Sequence, residues 1–235
     1  MKTVGIIQPG RLGDIIICLP IAKYYYDSGY NVIWPIFSNY YEMIKAAIDY
    51  VNFIPVTNDV YKTVTQTYDI LKKNNVDNII DLAATFPGSI CTDEYVKLGD
   101  GFGQESFDEF KYRKANVPFA NKWNLHYNRK IDEEELVFKK IVNVKDYDIV
   151  GTNYSGGSLD IKFESKTNII NFTNDFSIFH WRKVFENAQT IALVDSAMAN
   201  FIEQIGLPNK KILITLNKRP RPKFKNDWKI INYTL

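Results

Sequence analysis

Two short stretches hold residue types that can manage an anion and a proton together. The first is Gln8-Pro9-Gly10-Arg11-Leu12-Gly13-Asp14, which sets two glycines, a permanent cation and a carboxylate in one turn. Backbone N–H groups of such a turn, a helix N-terminus behind it and Arg11 can hold an anion, with Asp14 at the mouth. Ordinary helix capping by Asp14 and a surface role for Arg11 account equally well for the same residues. The turn is not a dinucleotide fingerprint, which needs three glycines, nor a Walker loop, which ends in Gly-Lys-Ser/Thr. The second stretch is Asp195-Ser196-Ala197, where Ser196 offers a hydroxyl and Ala197 and Met198 offer N–H groups to a diphosphate. Capping explains this stretch too. Ser155-Gly156-Gly157-Ser158 can likewise bind phosphate or simply turn.

These stretches matter because of what precedes them. Thr3-Val4-Gly5-Ile6-Ile7 is the β-branched apolar run of a buried parallel strand. It enters the first turn, and Asp14 is placed to cap the helix that follows. Pro20 should kink that helix or mark a late start. Strands are expected at 31–37, 51–56 and 78–83, with helices at 40–48 and 61–73 between them. Residues 85–130 show no clear period. A helix over 133–142 leads to a boundary placed at 145/146. The remainder reads as strands at 147–151, 168–172, 190–194, 211–215 and 228–233, with helices at 178–188 and 197–205. Strands alternating with helices of this length predict an α/β fold with parallel sheets. Residues 1–145 and 146–235 are thus expected as two Rossmann-like domains.

Composition sets the outer limits. With 46% hydrophobic and 24% charged residues the chain can bury a full core. A net charge of +2 gives no support for nucleic acid as a partner. Charge is uneven, with an acidic run at Asp132-Glu133-Glu134-Glu135. A basic end carries Lys210, Lys211, Lys218, Arg219, Arg221, Lys223, Lys225 and Lys229. That end suits phosphate, peripheral contact with an anionic membrane, or plain solvent. Cys18 and Cys91 form no framework, and no apolar stretch nears the ~18 residues of a membrane span. A soluble cytoplasmic protein is the expectation. Asp146-Tyr147-Asp148 has the spacing of a metal-binding pair but precedes its apolar run, so it reads as surface charge. His126 and His180 have no clustered partners, which argues against a zinc site or a catalytic triad.

Arg11-Leu12-Gly13-Asp14 followed by Leu19-Pro20 resembles the amino-terminal signature of the heptosyltransferase-like glycosyltransferases, family nine. Asp195-Ser196-Ala197-Met198-Ala199-Asn200 followed by Gly206-Leu207-Pro208 resembles their carboxy-terminal motif. The resemblance implies a GT-B architecture, two Rossmann-like parallel-sheet domains facing a cleft, with the second domain reduced here. It implies an inverting transfer of sugar from a nucleoside-diphosphate donor to an acceptor hydroxyl on a glycan, lipid-linked or other acceptor. No metal or other cofactor is required. Carried over by position, Asp14 is the general base, and Gly10, Arg11 and Gly13 form its corner. Ser155, Gly156, Asp195, Ser196, Ala197 and Asn200 lie on the donor side. The motif's glycine is Ala197 here and its histidine is Asn200. A strand–helix unit or two is missing between Ser158 and Asn168. A nucleotide-sugar or glycan-binding protein without turnover, or a nucleotide-sugar epimerase, would use the same scaffold.

Overall fold

The computed structural model describes residues 1–97, 105–154, 157–161, 163–216, 222–225 and 227–233, and the chain divides into compact units Met1–Asn128 and Arg129–Leu235. In the first unit, β1 (Thr3–Ile7), α1 (Leu12–Asp27), β2 (Asn31–Phe37), α2 (Ser38–Ala47), β3 (Asn52–Val56), α3 (Thr63–Lys73) and β4 (Asn78–Asp81) alternate as expected. The sheet is wholly parallel in the order β3-β2-β1-β4. Strands β1 and β2 are buried almost throughout, which requires their unbroken apolar runs. Leu71 of α3 lies on Gly5, where a Cβ would come within 2.7 Å of it. Ile7, Ile33, Phe37, Val56, Val64 and Phe86 join it in one core cluster.

Helix α1 corrects the capping expectation and excludes a late start at Pro20. It begins at Leu12, two residues before Asp14, and its N-cap residue is Arg11, with no side-chain cap. Pro20 sits inside a helix that runs on to Asp27. Nearby, the Ile17 carbonyl accepts the Tyr112 hydroxyl at 3.0 Å, one side-chain tie beside the point where Pro20 withdraws a donor. The stretch without clear period holds α4 (Ile90–Lys97), α5 (Phe107–Lys114) and a 3-10 turn, Phe119–Trp123. A Ser106–Glu109 capping box starts α5. Lys122 and Asp108, both fully buried, pair with each other.

The second unit contains α6 (Ile131–Ile141), β5 (Tyr147–Gly151), the short antiparallel pair β6 (Asn153–Tyr154) and β7 (Gly157–Ser158), and β8 (Asn168–Asn171). After a 3-10 turn at Ile178–Trp181 come α7 (Arg182–Glu186), β9 (Thr190–Val194), α8 (Ala197–Ile205), β10 (Lys210–Leu216) and β11 (Trp228–Tyr233). Its main sheet is parallel in the order β11-β10-β9-β5-β8. Helix α6 belongs to this unit through ion pairs: Arg129 with Glu134 and Glu186, and Lys183 with Glu135. Residues 159–161 and 163–167 hold no helix or strand, so the second unit is the smaller α/β layer that the sequence suggests.

Two charge readings change. Asp148 is not surface charge: it is buried in β5 and accepts the Ser165 hydroxyl at 2.6 Å. Lys211 is also buried, and its ammonium donates to the Leu207 carbonyl at 2.5 Å. Glu203 of α8 accepts the Lys225 N–H and the Trp228 indole N–H, which ties the basic end to that helix. Lys218, Arg219 and Arg221 lie outside the described residues. Among the described residues no helix is long and apolar enough to cross a membrane.

Candidate active site

Both sheets change winding direction once, and residues 8–14 and Asp195-Ser196 each sit at such a point. In the first unit β2 and β3 lie to one side of β1 while β4 lies to the other. In the second, β8 lies to one side of β5 while β9, β10 and β11 lie to the other. Crevices open beyond the carboxyl ends of strands at these reversals, and ligands of open α/β sheets bind there. Residues 8–14 follow β1. Asp195-Ser196 follows β9, and Ser155-Gly156 follows β5 but lies outside the described residues.

The first corner is built by close packing. Gln8 is buried: its carbonyl accepts the Trp34 indole N–H at 3.0 Å, and its amide nitrogen donates to the Gly10 carbonyl at 2.9 Å. A Cβ on Gly10 would fall 2.2 Å from the Phe37 ring, so the position needs glycine. Arg11 takes a left-handed φ of 59°, and its carbonyl receives the N–H groups of Asp14 and Ile15 at 2.9 and 3.1 Å. Its exposed guanidinium stands 5.7 Å from the centre of the Phe86 ring. Gly13 is half-buried in the first turn of α1.

Asp14 is 8% exposed and does not cap the helix. Burial raises its carboxyl above the ordinary carboxylate value, while Lys111 and Arg11 pull the other way. The Lys111 ammonium lies 3.6 Å from Asp14 Oδ1, donates to Gln8 Oε1 and donates to the Leu82 carbonyl at 2.5 Å. A second buried carboxylate, Asp81 at the end of β4, is fully employed. It accepts Ser89 Oγ at 2.8 Å, Ala83 N–H at 3.0 Å, and Tyr68 hydroxyl and Ile90 N–H at 3.1 Å. Sequence reasoning missed both Lys111 and Asp81. The i,i+4 pair Phe107–Lys111 is the one local signal that the lysine shares a buried helix face.

The second corner is a capped helix start. Asp195 N–H donates to the Ile214 carbonyl at 3.0 Å, which carries the chain off β9. Ser196 is extended, and its hydroxyl accepts the Ala199 N–H at 3.5 Å, a long capping bond. Ser196 O accepts the Asn200 N–H at 3.1 Å and its side-chain nitrogen at 2.9 Å. Asn200 is 3% exposed, and its Oδ1 has no hydrogen-bond partner among the described residues. Gly206, at φ 63°, ends α8 as a left-handed C-cap. The structure thus groups Gly10, Arg11, Gly13 and Asp14 on one unit and Asp195, Ser196, Ala197 and Asn200 on the other.

No family model matches the sequence, and a comparison with curated proteins finds no match. Solved structures do match in fold. A family 9 glycosyl transferase from Veillonella parvula superposes with a TM-score of 0.65 at 9% identity, over 99% of this chain and 86% of its own. The ADP-heptose lipopolysaccharide heptosyltransferase II of E. coli gives 0.60 at 10% identity, over 98% and 90%. E. coli heptosyltransferase WaaC, solved with ADP-2-deoxy-2-fluoro heptose, gives 0.50 at 9% identity, over 98% and 93%. In fold, the chain is similar to the heptosyltransferase-like glycosyltransferases of family nine, a GT-B-like pair of parallel-sheet units in a shortened and divergent form.

Proposed function

We propose that this chain moves a sugar from a nucleoside-diphosphate sugar to an acceptor hydroxyl, with inversion at the anomeric carbon and without a metal. The observation that carries the reading is the position of the two stretches, each at the winding reversal of its own parallel sheet. Asp14 is the general base. Its carboxylate takes the acceptor's hydroxyl proton as that oxygen bonds to the anomeric carbon and the bond to the diphosphate breaks. A single displacement with one base inverts the configuration. The departing diphosphate gathers charge at the start of α8, where Ser196 Oγ and the first N–H groups of the helix face it. Ser155, Gly156, Asp195 and Ala197 complete the donor side, and Asn200 braces the turn through Ser196 O. Gly10 and Gly13 let the acceptor approach, and Arg11 meets an anionic part of it.

The E. coli neighbour solved with an ADP-heptose analogue supports a nucleotide-sugar donor. The experiment is a panel of nucleoside-diphosphate sugars, followed first by melting temperature and then by transfer to glycan and lipid-linked acceptors. A bound donor raises the melting temperature by mass action. Product of inverted anomeric configuration, formed in the presence of a chelator, is the expected result. No thermal response to any donor would contradict the reading.

A second reading has one observation in its favour. Where the motif's glycine and histidine would stand, this chain has Ala197 and Asn200, and the Asn200 amide nitrogen is turned onto Ser196 O. A protein that binds the donor without turnover would carry such changes. It predicts saturable donor binding with neither transfer nor donor hydrolysis.

A further inference from the structure

We infer that Lys111 is the positioning residue of the first corner, its buried ammonium fixing where the Asp14 carboxylate sits and balancing its charge for proton transfer. This rests on the reading of Asp14 as the base. The ammonium is fully buried, a costly place for a charge unless it is paired. Two of its contacts are to neutral oxygens, Gln8 Oε1 at the end of β1 and Leu82 O just after β4. Those bonds tie together the segments that leave two paired strands at the winding reversal. A neutral donor would do that work equally well. The charge is explained by Asp14 Oδ1 at 3.6 Å, on α1. The Phe107 ring, with its centre 4.5 Å from the ammonium, closes another side.

Among the described residues, the other titratable groups around this ammonium do not compete for it. Cys18 on α1 and Cys91 on α4 are thiols that burial pushes up to about 12, so both are neutral. Tyr95 on α4, likewise raised to about 12 by burial, is neutral too. Asp108 on α5 pairs with Lys122, and Asp81 beyond β4 is held by Ser89, Tyr68 and backbone N–H groups. Arg11 and Lys114 add positive charge and cannot substitute as partners. Asp14 is therefore the ionised group that Lys111 answers. Removing the cation leaves a buried carboxylate that burial alone drives toward its neutral form, which takes no proton.

The test follows the Asp14 carboxyl by NMR of side-chain-labelled aspartate, without substrate, in wild type, Lys111→Met and Lys111→Arg. The acid limb of sugar transfer is recorded on the same proteins. Loss of an opposite charge at this range should move the Asp14 midpoint and the limb upward together by about 1 unit or more, while arginine restores them. At a pH below the new midpoint, transfer falls about tenfold per unit. Unmoved midpoints in a folded Lys111→Met protein overturn the inference. If that variant does not fold, Lys111→Met combined with Asp14→Asn decides. Recovered folding supports the pairing, and continued failure overturns it. A shifted midpoint alongside a wild type that transfers nothing sinks the base reading of Asp14 instead, so the two failures are distinguishable.

Discussion

The two corners share a plan and differ in what their polar groups are occupied with. At the second corner Ser196 caps α8, Asn200 bonds back to Ser196 O, and the backbone leaves β9 by an ordinary sheet bond to Ile214. Local capping chemistry is enough to build it. The first corner begins a helix with no side-chain cap, through an arginine in a left-handed conformation, and keeps a carboxylate nearly buried beside a buried lysine. Each of those choices costs stability. Carboxyls raised by burial gather where chemistry is done, and on that ground we propose the base at the first corner and the anion cradle at the second. The same contrast recurs between the buried carboxylates Asp81 and Asp14. Asp81 is saturated with donors, whereas Asp14 is matched chiefly by charge.

Four substitutions test that contrast. Asp81→Ala strands the Ser89 and Tyr68 hydroxyls and two backbone donors, so chemical denaturation should show a loss of about 3 kcal/mol or more. Gly10→Ala drives a methyl into the Phe37 ring and should cost about 1–3 kcal/mol, measured the same way. Ser196→Ala removes only a long capping bond. It should cost about 1 kcal/mol while weakening nucleoside diphosphate binding, read by calorimetry. Unchanged affinity there would move the donor away from the second corner.

The smallest effect has a distinctive sign. Because burial raises the Asp14 carboxyl in the folded chain, its ionisation disfavours the fold. Any stability it lends is full below the unfolded value and lost as pH rises through the folded one. Asp14→Asn, which is never charged, should therefore gain in melting temperature relative to wild type as pH rises through that window. That gain should vanish as pH falls from the raised folded value to the ordinary carboxylate value. A gain that grows on acidification would mean that Lys111 outweighs burial at this site.

Strand positions were legible because a parallel strand buried on both faces must be an unbroken apolar run, as at Val4–Ile7 and Ile191–Val194. The second corner was legible too, since Ser196 and Gly206 act through their nearest neighbours in sequence. Asp14 was legible as a residue, but the capping expected of it is not found: the helix starts two residues earlier, through an arginine, against capping preference. Lys111 was out of reach because Gln8, Leu82 and Asp14 meet it from 103, 29 and 97 residues away, and no local pattern encodes such pairings. Asp148 and Lys211 misled for the same reason. A charged residue reads as exposed until the side chain or carbonyl that satisfies it is located.

Sugar transfer in this proposal depends on the Asp14 carboxylate as the base. Donor binding and sugar transfer measured side by side on Asp14→Asn test this most directly. The account predicts that affinity for the nucleoside-diphosphate sugar stays within a few-fold of wild type while transfer falls by about 10²–10⁴. Transfer that survives the substitution, with the acid limb of its pH profile unmoved, would contradict it.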